Sequence, residues 1–206
     1  MGVKMIDNII KNTIKEFCLE FLQSPYICYT EHGLHAFFYH KLYSRIPEDK
    51  KYIQLEKESI CIIQKEYPTA SNLGKSKRQH WDIAVIESPP KNFLDKHLPY
   101  DYLSLNSVIE FGMNNNRDHL REDIRRLSHP DSNVTNKYII QLYRISEPKF
   151  SNRDLSPKSK KILKLNDVKN LVKGRNVEIY FGIVNSTQKQ ENGLWQINNK
   201  DIIKIG

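Results

Sequence analysis

Cysteine is scarce: three residues in 206, at positions 18, 28 and 61, with no CxxC pair among them. That odd, scattered set excludes a disulfide framework and a zinc knuckle and fits a reducing compartment, so a cytoplasmic location is expected. Long apolar runs are also missing. Ile60-Cys61-Ile62-Ile63 is as long as they become, whereas a membrane-spanning helix needs about 20 residues. The opening residues carry no basic-then-apolar signal segment. With only eight glycines the chain has neither GxGxxG nor GxSxG. Gly74-Lys75-Ser76 invites a phosphate-loop reading, but Thr69 stands where that motif needs its first glycine.

What is present is an ordinary soluble composition with a basic excess. Hydrophobic residues make up 39% and charged residues 27%, and 32 Lys+Arg against 24 Asp+Glu leave a net charge of +8. That excess is local. Residues 137–175 hold 11 Lys+Arg and 3 Asp+Glu, which accounts for all of it. A polyanionic partner is thereby permitted, and Lys158, Lys160, Lys161 and Lys164 are the first candidates to hold one.

Periodicity predicts helices over 4–23 and, after a Thr30 cap, over about 31–45. Strands are predicted at 59–67, 80–87, 103–113, 138–145 and 177–184, with a last edge strand near 202–205. Asn116 caps a predicted helix through Ser128. Ser156-Pro157 opens a helical region that Gly174 stops, with a break near Asn166-Asp167. The order α-α-β-β-β-α-β-α-β describes one α/β domain, a mixed central sheet flanked by helices.

Two acids stand inside apolar strands, where a charge is costly unless paired or metal-bound. Asp82 lies in Trp81-Asp82-Ile83-Ala84-Val85-Ile86 and Glu110 in Val108-Ile109-Glu110-Phe111-Gly112. Carboxylates from neighbouring strands can meet on one face and hold a hard cation, with the Phe111 carbonyl completing the shell. Either acid alone reads as a strand-end residue; together they suggest a site. Glu31 has two readings. It falls on the apolar stripe of its helix, between Phe38 and Leu42, and it also occupies the first helical position, where the helix dipole favours an acid. His35, one turn on, reads as a hydrogen-bonded core histidine or as a group assisting Glu31 or a metal. His32, His35 and His40 do not form an HExxH zinc motif.

The order of a helix bearing Glu31, a strand ending Glu66-Tyr67-Pro68-Thr69, Trp81-Asp82 on the next, Glu110-Phe111-Gly112 on a third and then a helix resembles the PD-(D/E)XK restriction-endonuclease-like superfamily over about residues 30–145. The resemblance implies an α-β-β-β-α-β core at 29–145, with 1–28 as a helical addition and 146–206 as a basic region with closing strands. It also implies Mg²⁺- or Mn²⁺-dependent hydrolysis of DNA, RNA being a second substrate class, and it is compatible with a homodimer. By carry-over, Asp82 and Glu110 are the metal-binding acids, Glu31 the helical glutamate and Glu66 an accessory acid.

One position departs from the pattern. The lysine two residues after the strand acid is Gly112, which has neither charge nor donor. Asn114, Arg117, Arg121 and Gln141 are the candidate substitutes for it. A catalytically degenerate module that binds nucleic acid or a protein without cleaving is therefore the alternative, and an interaction protein with a merely solubilising basic surface is a third reading. On the helix after Glu110, Arg117, Arg121 and Arg125 line one flank, suited to phosphates. His119, Asp123 and Arg126 line the other, and this H-x-x-x-D-x-x-R-L run is also similar to the family's helix at that place.

Overall fold

The structure, a computed structural model, describes residues 2–54, 59–69, 71–87, 103–144, 163–184 and 192–206. Two long helices come first, α1 (Gly2–Gln23) and α2 (Glu31–Arg45). They form because apolar residues recur at helical spacing: Ile6, Ile10, Ile14, Phe17 and Phe21 are all buried on α1. Thr30 caps α2, its hydroxyl accepting the Gly33 amide at 3.0 Å.

A short antiparallel pair follows, β1 (Tyr52–Gln54) with β2 (Ser59–Cys61). The strand expected over 59–67 is thus two strands. Ile62 separates them, its amide bonded to the Lys51 carbonyl and its own carbonyl to the Ile86 amide, so β2 pairs back on β1 while β3 (Ile63–Pro68) joins the main sheet.

That sheet continues through β4 (His80–Ile86), β5 (Leu105–Met113), β6 (Val134–Arg144), β7 (Glu178–Val184), β8 (Gly193–Ile197) and β9 (Ile202–Lys204), in spatial order β3-β4-β5-β6-β7-β8-β9. The β5–β6 and β6–β7 pairs are parallel and the rest antiparallel. Parallel neighbours need helical crossovers. These are α3 (Arg117–Leu127), capped by Asn116, and α4 (Leu165–Val172). The β8 strand was not expected from the sequence, and β6 starts four residues earlier than expected. Leu163 and Lys164 are not helical and α4 starts at Leu165, so the break expected near Asn166-Asp167 falls just before them, and Val168 and Val172 bury on one side of the helix. The expected start of that helix at Ser156 lies outside the described residues.

Alternation along β5 sorts the layers. Phe111 packs edge-on against Phe17 of α1 and Phe38 of α2, with ring centroids 6.0 and 5.4 Å apart. Its neighbour Glu110 points the other way, to α3. The result is an α/β fold with a mixed seven-stranded sheet between helices. No helix among the described residues is long and apolar enough to cross a membrane.

Candidate functional site

The paired stretch of β4 and β5 ends at Ile83↔Ile109, and the next residues on the two strands are Asp82 and Glu110. Where the ladder stops, a side chain takes over: Asp82 Oδ2 accepts the Phe111 amide at 2.8 Å. On the other side of β4, the pairs Lys65↔Ile83 and Tyr67↔Trp81 bracket Glu66 opposite Asp82. Glu66 has φ 54, the left-handed region that costs a non-glycine residue about 1 kcal/mol or more. Glu66, Asp82 and Glu110 therefore make one row across three strands.

Asp82 and Glu110 meet where the ladder ends, and each carboxyl perturbs the ionisation of the other. Two carboxylates that close cannot both ionise cheaply, so one proton is shared. Burial sends it to Glu110, which is 1% exposed and whose pKa is raised well above the usual carboxylate range, first by desolvation and then by the Asp82 charge. Burial also raises Asp82, opposed by the Phe111 amide and by Glu110.

Across the site, Arg126 of α3 stands 3.0 Å from Glu110 Oε1 and 2.9 Å from Asp123 Oδ1. It also donates to the His80 carbonyl and lies over the Trp81 ring at 5.4 Å. Asp123 in turn holds His119 Nδ1 at 3.1 Å, and its hydrogen bond raises the His119 pKa. Asn115 Nδ2 donates to Glu31 Oε2 at 3.1 Å, as the Met113 amide does at 2.8 Å, and stands beside His119, whose Nδ1 is engaged by Asp123. A continuous polar chain thus runs Glu31–Asn115–His119–Asp123–Arg126–Glu110–Asp82.

The helical glutamate is both of the things the sequence allowed. Glu31 begins α2 and also reaches across to tie down the end of β5. His35 is buried as a core histidine would be, but it is not hydrogen-bonded. Both ring nitrogens lack a hydrogen-bond partner, Nε2 standing 3.7 Å from Asp82 Oδ2, and burial lowers its pKa to about 4.

The candidates for the missing lysine fare differently. A Cβ added at Gly112 would stand 2.2 Å from Gln141 Oε1, so the Gln141 amide fills the space where a side chain at 112 would start. Asn114 leaves extended geometry at φ 58, and its Oδ1 accepts the Arg144 amide, away from the carboxyl pair. Arg121 pairs with Asp118 on the exposed surface, and Arg117 is exposed at the start of α3.

Of the expected phosphate flank, Arg125 is engaged instead by Glu122 and the Leu73 carbonyl. These contacts hold the Glu122 pKa down at about 2. Lys158, Lys160 and Lys161 lie outside the described residues, and Lys164 is exposed just before α4.

Comparison with protein-family models, with curated proteins and with solved structures finds no match for this chain. The site's own chemistry therefore carries its interpretation. Four of its residues, Asn115, His119, Asp123 and Arg126, were not among the expected site residues. The signal for three of them was the second flank of α3, where the H-x-x-x-D-x-x-R-L run sets His119, Asp123 and Arg126 beside the apolar stripe of Leu120, Ile124 and Leu127. A polar cleft of about 330 Å³, lined by Glu87, Ser104, His129 and Lys137 among others, lies instead at the start of β5 and β6 and includes none of these groups.

Proposed function

We propose that this protein is a divalent-metal-dependent nuclease of the PD-(D/E)XK type that hydrolyses DNA phosphodiester bonds. The observation that carries the reading is the Asp82–Glu110 carboxyl pair, Glu110 buried and Asp82 half-buried, at the point where β4 and β5 part. The donor set fits a hard cation. Two carboxyls that share a proton in a desolvated place would release it to a dication, which is a better partner for both. Asp82 and Glu110 would hold the ion, with the Phe111 carbonyl as a further oxygen. Such an ion polarises a phosphoryl group and lowers the pKa of bound water.

The chain's own residues do the rest. Glu31 fixes the end of β5, and with it the orientation of Glu110. Arg126 sets a permanent positive charge beside Glu110. The basic segment 137–175 supplies backbone affinity for DNA through Lys158, Lys160, Lys161 and Lys164.

One observation favours the non-cleaving alternative. Gln141, with no hydrogen-bond partner on either amide atom, seals the place above Gly112 and carries no charge.

A plasmid assay decides between them. Supercoiled and linear DNA are incubated with the protein and Mg²⁺, Mn²⁺ or EDTA, beside Asp82→Ala and Glu110→Ala. Metal-dependent cleavage lost in both variants supports the nuclease. Salt-sensitive binding with no cleavage supports the degenerate module, and absence of binding at low salt removes both.

A further inference from the structure

We infer that His32, His35 and Glu66 form a binding site for a transition-metal dication of the Zn²⁺ class, distinct from the all-oxygen Asp82–Glu110 pair. On α2, His32 and His35 lie one turn apart with rings edge-on at 5.5 Å, and Glu66 reaches them from β3. One ligand atom from each of the three lies within 4.8 Å of the other two. Ions of this class hold His nitrogen at about 2.0–2.1 Å, with four ligands arranged tetrahedrally, which places ligand atoms between 3 and 4 Å apart as an order of magnitude. Small rotamer adjustments at His32 and Glu66, both exposed, close that gap.

The second, independent observation is His35 itself. It is 1% exposed, wedged against Phe111 at 4.7 Å between ring centroids, and neither ring nitrogen has a hydrogen-bond partner. A buried polar group left without a partner costs roughly 1–3 kcal/mol, and natural proteins seldom leave both nitrogens of a histidine so placed. An ion bound among the three residues satisfies one of them. Two imidazoles and one carboxylate are a borderline donor set. They suit Zn²⁺, Co²⁺ or Mn²⁺ better than Mg²⁺, which prefers oxygen and retains its water.

Metal binding at these three residues does not require nuclease activity and is read without DNA. Metal-stripped full-length protein is titrated with Zn²⁺ in a calorimeter and with Co²⁺ by visible absorption. One ion per chain is expected, with affinity reduced about tenfold or more by His32→Ala and by Glu66→Gln, exposed positions whose loss spares the core. Glu110→Gln is expected to leave it within about threefold. Histidine-selective ¹⁵N NMR gives a check independent of any variant: the ring nitrogens of His32 and His35, and not those of His40, shift on adding Zn²⁺. Zn²⁺ binding unchanged in the His32→Ala/Glu66→Gln double variant, or no binding at submillimolar Zn²⁺, overturns the site. Plasmid cleavage lost in Asp82→Ala with Zn²⁺ binding absent from the wild type would sustain the nuclease and sink this inference.

Discussion

The side-chain amide of Gln141 occupies the ground immediately above the Cα of Gly112, 2.2 Å from where a Cβ would be. The two residues are partners in the parallel β5–β6 register and lie on the Glu110 face of the sheet. Gly112→Ala is therefore expected to destabilise the fold by about 1–3 kcal/mol, the usual cost of overpacking a filled interior. In the background of Gln141→Ala the same change costs much less. A double-mutant cycle by chemical denaturation measures the coupling; additive effects would mean that the two side chains do not compete for one space.

Glu110 makes stability depend on pH in a predictable direction. Its folded pKa is raised, so the folded state keeps a proton that the unfolded chain releases near 4.5. The stabilisation is full below that pH and is lost as pH rises towards the folded pKa. Glu110→Gln does not titrate. In metal-free buffer the variant gains on the wild type as pH rises above about 5, with a slope approaching about 1.4 kcal/mol per pH unit while Glu110 stays protonated. Parallel melting-temperature curves for the two proteins would refute the shared proton.

Arg126 is 11% exposed at its side chain and meets two acids that are 2–3% exposed. Arg126→Met strands Asp123 and crowds the Asp82–Glu110 pair, at a cost of about 3 kcal/mol. Adding Asp123→Asn to Arg126→Met returns part of that loss. Urea unfolding of the single and double variants at one pH reads the difference.

Arg144 ties down the loop that delivers Glu31. Its guanidinium donates to the carbonyls of Pro25, Cys28 and Tyr29 and stacks on the Tyr26 ring at 4.6 Å. In Arg144→Ala, chymotrypsin is expected to cut at Tyr26 and at Tyr29, which is already 77% exposed, several-fold faster than in the wild type, with little change in global melting temperature.

If DNA is bound, replacing Lys158, Lys160, Lys161 and Lys164 by Gln lowers the slope of log affinity against log salt by about one for each phosphate no longer neutralised. Affinity titrations at several salt concentrations give the slope. An unchanged value moves the interface off this segment.

The sequence disclosed the sheet's centre and the acids on it because both obey simple rules. Alternating apolar strands such as His80–Ile86 identify themselves, and Asp82 and Glu110 are conspicuous for breaking their strands' apolar pattern. The caps Thr30 and Asn116 marked their helices for the same local reason. What it withheld is long-range. Nothing in Gly193–Ile197 distinguishes a strand of five residues from a polar connection until β7 and β9 flank it. That Arg126 would face Glu110 while Arg125 would turn to Glu122 depends on the rotation of α3 about its axis, which three apolar residues specify only coarsely. The expectation of a strand unbroken through Ile62 failed because apolar runs carry no sign of where a chain changes pairing partner.

Strand order in space follows strand order in the chain from β3 to β9, so each new strand can dock on the one synthesised just before it. Helix α1 is the exception. It precedes all of the strands in the chain, yet it lies against β5, β6, β7 and β8, so Ile10, Ile14, Phe17 and Phe21 have no sheet to cover them until the later strands leave the ribosome. Folding must then proceed with this apolar helix face waiting for its sheet, and a chain cut short before β7 is left with that surface permanently open to aggregation.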